Sequence, residues 1–109
     1  MRIDIRPSEG WPGASVALAR KRLEFALGRF AGRVRSLTVR LTDVNGPRGG
    51  PDKKCLIAVR LTHPRHVIVI EDVDTDYNVV VSRAAERASR AVLRAVQSAR
   101  AWRVLPRGY

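Results

Sequence analysis

Apolar residues in this chain recur at two alternating periods, and the switches between them mark out the elements. Residues 1–6 set Met1, Ile3 and Ile5 against Arg2, Asp4 and Arg6, the period of two expected of a strand with one buried face. Residues 7–13 hold two prolines and two glycines and read as a loop, with Pro12 suited to the first helical position, where a missing N–H costs nothing. Over 14–31, Val16, Ala19, Leu23, Ala26, Leu27 and Phe30 share one face at helical spacing, which predicts an amphipathic helix that Gly32 is placed to end. Alternation returns over 34–44, with Leu37, Val39 and Leu41 inward, and over 55–61, with Cys55, Ile57, Val59 and Leu61 inward. Residues 62–65 turn into a fourth strand at 66–71. Residues 77–101 form a second helix, burying Val81, Ala85, Ala88, Val92, Ala95 and Ala99.

The predicted order is βαβββα, an α+β fold in which two helices pack on one face of a four-stranded mixed sheet and the other face stays more open. The connection between the first two strands passes through a helix and is long enough for a crossover, so that pair is parallel and right-handed. With 109 residues, one domain is expected, over 1–102, followed by a tail at 103–109. There is no internal repeat and no low-complexity tract.

Charge adds what the apolar pattern lacks. The formal net charge of +11 is uneven: residues 1–50 carry ten basic and four acidic groups (+6), 51–77 four and five (−1), and 78–109 seven and one (+6). In the second helix Arg83, Arg87, Arg90 and Arg94 recur at steps of four, three and four, a stripe about 16 Å long at about 1.5 Å per residue. Within that stretch Glu86 is the sole acid. Arg22 and Arg29 on the first helix, with Arg33 after it, are seven and four apart. Helices lying side by side would merge the two stripes into one positive surface or groove. Like charges at this spacing repel, and a polyanion relieves them, whereas a solvated face normally mixes both signs. The loop at 45–54 adds Arg48, Lys53 and Lys54. It reads either as a phosphate cradle or as a hairpin linker, and it lacks the Gly-Lys-Ser/Thr ending of a P-loop.

Such a balance points to nucleic acid, an anionic membrane surface or an acidic protein as partner. The longest strongly apolar run, 67–70, is far too short to span a bilayer, and the start lacks the apolar core of a signal peptide. A cytoplasmic protein without membrane contact is the expectation. The lone Cys55 fits a reducing compartment and reads as an inward-facing apolar residue. Trp102 and Tyr109 at the far end read either as a cover for the core edge or as base-stacking groups.

The run Glu71 to Asp76 is the acidic cluster of the chain. Asp72, Asp74 and Asp76 imitate the opening of a calcium loop, but Tyr77 stands at the required glycine and Arg83 at the closing glutamate, so the template fails. Acids directly before a helix cap its free N–H groups and favour its positive end, and that is the expected role of this run. An alternative is a metal-dependent nuclease holding magnesium on the three aspartates. His63 and His66 with one cysteine give no recognised metal spacing. The expectation is therefore no enzyme, no cofactor and no metal.

The assembled pattern resembles the ribosome hibernation-promoting factor family, which includes the ribosome-associated translation inhibitors. The resemblance lies in KRLEFALGRFAGRV at 21–34, VRLTDVNGPRGGPDKKC at 39–55 and EDVDTD at 71–76 leading into the arginine helix. It implies a βαβββα domain similar to a double-stranded-RNA-binding domain, seated in the small-subunit channel where it blocks messenger and transfer RNA. It also implies that Arg22, Arg33, Arg87, Arg90 and Arg94 face ribosomal RNA. The full set of expected RNA-binding residues is Arg22, Arg29, Arg33, Arg83, Arg87, Arg90, Arg94, Lys53 and Lys54. Two stretches depart from the family pattern. Tyr77-Asn78 precedes Val79-Val80-Val81 where relatives carry Leu-Tyr or Met-Tyr before small residues, and Trp11-Pro12-Gly13 replaces a threonine-led helix start. The dimerising C-terminal domain of long members is absent from these residues, so a monomer is expected, with any pairing of ribosomes left to a separate factor. The alternative functions are a general double-stranded-RNA-binding module and a module that docks an acidic protein.

Overall fold

The computed structural model describes residues 1–43 and 52–104, with side chains through residue 98. The elements run β1 (Arg2–Pro7), α1 (Gly13–Leu27), a 3-10 turn (Gly28–Phe30), β2 (Val34–Asp43), β3 (Lys53–Thr62), β4 (Arg65–Asp74) and α2 (Tyr77–Val104). The expected βαβββα order is thus observed. Most of the loop expected at 45–54 lies outside the described residues, as do the side chains of Ala99 and Trp102, and Tyr109.

The sheet order is β1-β2-β3-β4. β1 runs parallel to β2, with Ile3 opposite Leu37 and Ile5 opposite Val39. β2–β3 and β3–β4 are antiparallel, with Val39 opposite Ile57 and Ile57 opposite Ile70. Because side chains alternate across a sheet, this register puts Leu37, Val39, Leu41, Cys55, Ile57, Val59, Ile68 and Ile70 on one face, where all are buried. Leu23 and Leu27 of α1 and Val80, Val81 and Val92 of α2 close over them in a single core.

β3 begins at Lys53, so that Lys53 and Lys54 lie in the strand rather than in the expected loop, and α2 runs to Val104; three further boundaries differ from the sequence pattern for physical reasons. Pro12 is the residue before α1 rather than its first: its backbone is extended (φ −60°, ψ 135°), and its carbonyl accepts from Ser15 and Val16 N–H. α1 ends at Leu27, and the glycine that follows opens a tighter turn in which Ala31 N–H donates to Gly28 O, carrying Phe30 into the core. β4 continues to Asp74, three residues past the expected end at Glu71, because Asp72 and Asp74 keep the inward phase of Ile68 and Ile70 and find partners there.

The buried arc of α2 is wider than one stripe. It includes Val80 and Ala84, which the spacing did not assign inward, while Ala95 is only half-buried. A helix flanked by both a sheet and a neighbouring helix is covered over more of its circumference than one packed on a sheet alone. Ahead of α1, the turn Ser8–Trp11 closes with Trp11 N–H on Ser8 O, and Gly10 supplies the positive φ of 93°. That turn aims Trp11 edge-on at Tyr77, with ring centroids 4.7 Å apart. Ser15 Oγ donates to Asn78 Oδ1 at 2.8 Å. The two stretches that depart from the family pattern therefore pack on each other and tie the start of α1 to the start of α2.

Candidate nucleic-acid interface

α2 begins on Asp76, whose Oδ1 accepts from the N–H groups of Asn78 (2.8 Å) and Val79 (3.0 Å). This is a helix cap of the expected kind. Asp72 and Asp74 do something else. Arg83 Nε and Nη2 donate to Asp72 Oδ2 and Oδ1 at 2.8 and 2.9 Å, a bidentate fork, and its Nη1 donates to Asp74 Oδ2 at 3.1 Å. Arg83 also reaches Val73 O at 3.0 Å, and Arg87 Nη1 reaches Glu71 O at 2.8 Å and lies 3.4 Å from Asp72 Oδ2. β4 is an edge strand, so these guanidinium groups occupy carbonyls that would otherwise invite another strand.

The electrostatic effects follow from this contact. Arg83 holds the Asp72 carboxyl below its ordinary range, against the opposing effect of burial and with help from the Val73 N–H and Arg87. The Asp74 carboxyl is lowered first by the Asp76 N–H and then by Arg83. In return Asp72 and Asp74 push the Arg83 guanidinium upward. Charge-assisted bidentate pairs of this kind are shorter and stronger than neutral hydrogen bonds. The helix-capping role expected for the whole acidic run therefore belongs to Asp76, and its other two aspartates brace β4 against α2.

The remaining candidates divide by partner. Arg90 pairs with Glu86 one turn back. Lys53 Nζ contacts Asp43 Oδ2 at 2.9 Å and Asp52 Oδ2 at 3.0 Å and sits 5.0 Å over the Tyr77 ring. Hydrogen bonds from Lys53 to Asp43 and then Asp52 push its ammonium upward. Lys54 lies 3.5 Å from Glu71. Arg33 donates to His63 O at 3.0 Å, while its own carbonyl accepts from Thr62 N–H at 2.9 Å, linking the end of the first helical segment to the β3–β4 turn. Arg22, Arg29 and Arg94 form no ion pair among the described residues. Arg29 lies over the Phe30 ring, 4.7 Å from its centroid, a stacking that steadies the guanidinium and leaves its N–H edge free for an anion.

Both helices lie on one layer, and the seam between them is an open groove of about 1020 Å³. Arg22, Phe25 and Arg29 of the first helical segment form one wall, and Val79, Arg83 and Glu86 of α2 form the other. A smaller recess of about 310 Å³ continues past Arg29 to Arg33, Leu93 and Gln97. Arg29 borders both, so Arg22, Arg29 and Arg33 make a continuous cationic run along the seam. Arg87 turns the other way, toward β4. Lys53 and Lys54 sit at the start of β3 and do not line the groove.

Two features of the surface were not assigned from the sequence. Phe25 is 87% exposed, and its position is out of phase with the apolar face of α1. That phase mismatch was the available signal. The open face of the sheet also carries arginines: Arg2, Ser36 and Arg60 form one cross-strand row, and Arg6 and Arg40 another. They occupy the polar phase of the same alternation that identified the strands.

Among the described residues no helix is long and apolar enough to cross a membrane. No protein-family model matches this sequence, and no curated protein does. The fold does have a solved counterpart. The crystal structure of the Thermus thermophilus Protein Y N-terminal domain aligns with a TM-score of 0.67 and 22% sequence identity, over 86% of this chain and 98% of that one. The chain thus shares the architecture of the Protein Y N-terminal domain over nearly the whole of that domain.

Proposed function

We propose that this protein is a non-enzymatic ribosome-binding factor of the hibernation type. Its helical layer sits on ribosomal RNA of the small subunit, and the body of the domain blocks messenger and transfer RNA. The observation that carries this reading is the groove, where Arg22 and Arg29, which form no ion pair among the described residues, line the helical layer of a domain with the Protein Y fold. Arg22, Arg29 and Arg94 contact phosphates, with Arg33 and Arg90 at the margins, and Arg83 holds the frame. The resemblance at 21–34, 39–55 and 71–76 supplies the ribosome as the particular RNA partner and the cytoplasm as the place. Recognition is by shape and charge, so affinity falls steeply with salt as counterions released on binding become easier to retain. The nuclease alternative loses its ligands, because Asp72 and Asp74 are engaged by Arg83 and Asp76 by the helix N–H groups.

Sedimentation with purified small subunits tests the reading. The protein co-migrates at moderate salt, is released as salt rises, and lowers protein synthesis in a purified translation system in proportion to its occupancy. Failure to co-migrate, or displacement by a modest excess of generic RNA duplex, overturns it; the second outcome marks a free duplex binder.

A further inference from the structure

Among the described residues Phe25 lies outside the core. At 87% exposure it contributes almost nothing to the core, yet it sits in the wall of the groove, opposite Val79, which is itself 45% exposed. Arg22 precedes it by three residues and Arg29 follows by four, so all three lie on the flank of the first helical segment that faces α2. Asn78, Ser82 and Ser89 line the same groove and supply short polar side chains able to meet the hydrogen-bonding edge of a ring. The groove thus combines an aromatic face, flanking cations that carry no ion pair among the described residues, and small donors and acceptors. Its volume of about 1020 Å³ lies just above the ~300–1,000 Å³ usual for small-ligand sites.

Resting on the reading of this layer as an RNA-binding surface, we propose that Phe25 is a stacking platform for an unpaired RNA base, with the adjoining phosphates held by Arg22 and Arg29. An aromatic ring on a cationic surface offers a π face that every base can use. In a duplex those base faces are covered by their neighbours, so the site takes a nucleotide from a single-stranded loop, bulge or end. Arg29, already stacked on Phe30, is held beside the ring before RNA arrives. The site gives a surface governed by shape and charge one point at which paired and unpaired RNA differ.

The test uses the full chain with Phe25→Ala, Phe25→Leu and Phe25→Tyr. Binding is measured by fluorescence anisotropy to a labelled ten-residue single-stranded oligoadenylate and to an RNA duplex of the same charge. Because the side chain is exposed, the variants keep the wild-type circular dichroism spectrum. Phe25→Ala and Phe25→Leu weaken single-strand binding roughly tenfold, as loss of one stacked base predicts. Phe25→Tyr keeps wild-type affinity, and duplex binding changes less than about twofold in all three. Three results overturn the proposal: equal single-strand affinity for wild type and Phe25→Ala, equal losses on duplex and single strand, or full retention by Phe25→Leu. The last indicates an apolar contact of the kind a protein partner makes. None of these bears on small-subunit sedimentation, so the stacking site and the ribosome reading fail separately.

Discussion

Arg83 and Arg94 stand on the same stripe of α2, and the structure gives them opposite work. Arg83 is gripped by Asp72 and Asp74 from β4, whereas Arg94 has no ion pair among the described residues, like Arg22 and Arg29 across the seam. On one helix a guanidinium thus serves as a brace at Arg83 and stands without an ion pair among the described residues at Arg94, with Arg90 held by Glu86 between them. Spacing alone places a cation on a face; the carboxylates that fold against it decide whether it is available. The positive surface is therefore displaced from the start of α2 toward the seam with α1 and the later turns of α2.

The largest effect expected from this contrast comes from removing the free cations. Arg22→Ala, Arg29→Ala and Arg94→Ala combined should weaken small-subunit binding roughly a hundredfold at moderate salt and flatten the dependence of log K on log salt by about two to three. Arg83→Ala with Arg87→Ala should change affinity by less than about threefold when binding is measured in the same way, by sedimentation with purified small subunits. Equal losses for the two sets would mean that β4 does not neutralise α2.

A smaller and opposite effect is expected from Asp72→Asn, which loosens the grip on Arg83 and Arg87. Low-salt RNA affinity should rise about threefold, while the thermal midpoint falls by about 3 °C. The folded-state pKa of Asp72 is lowered, so its contribution is fully present above the ordinary carboxylate value of about 3.9 and is lost as pH falls through the depressed value. Wild type and Asp72→Asn should therefore differ most in thermal melts near neutral pH and converge in strong acid. A gap that persists or widens in acid would remove the ion pair as its cause.

The smallest effect concerns the core beneath both regions. Cys55 is buried, and desolvation, aided by the nearby Asp72 charge, pushes its thiol up to about 12. At pH 8 a thiol-reactive chromogenic disulfide should label it only at the rate at which the protein opens, and at once in denaturant. Prompt labelling of the native protein would show that the β3–α2 contact is looser than described.

Much of the fold was legible because burial imposes period. The inward phases of β2 and β3 and the Leu23/Leu27 face of α1 follow from alternation and helical spacing. The acidic run is not legible as a brace because Asp72 and Asp74 continue the strand's alternation in polar form, whereas the apolar pattern ends at Ile70. Phe25 is illegible for the converse reason: its phase excludes it from the core, and nothing local says what an exposed ring is for. The groove between residues 22–29 and 79–86 follows from two helices lying side by side, but which of its cations stay unpaired depends on contacts with β4 that no local rule reaches.

What the sequence determined by itself is the set of elements, their order and the sidedness of each, since these depend on backbone period and on the cost of burying polar groups. Which arginines remain free was decided only when β4 and α2 packed together, because ion pairing depends on distances of 3–4 Å between groups far apart along the chain. Tertiary contact turned a uniform stripe of charge into a brace at one end and an open surface at the other.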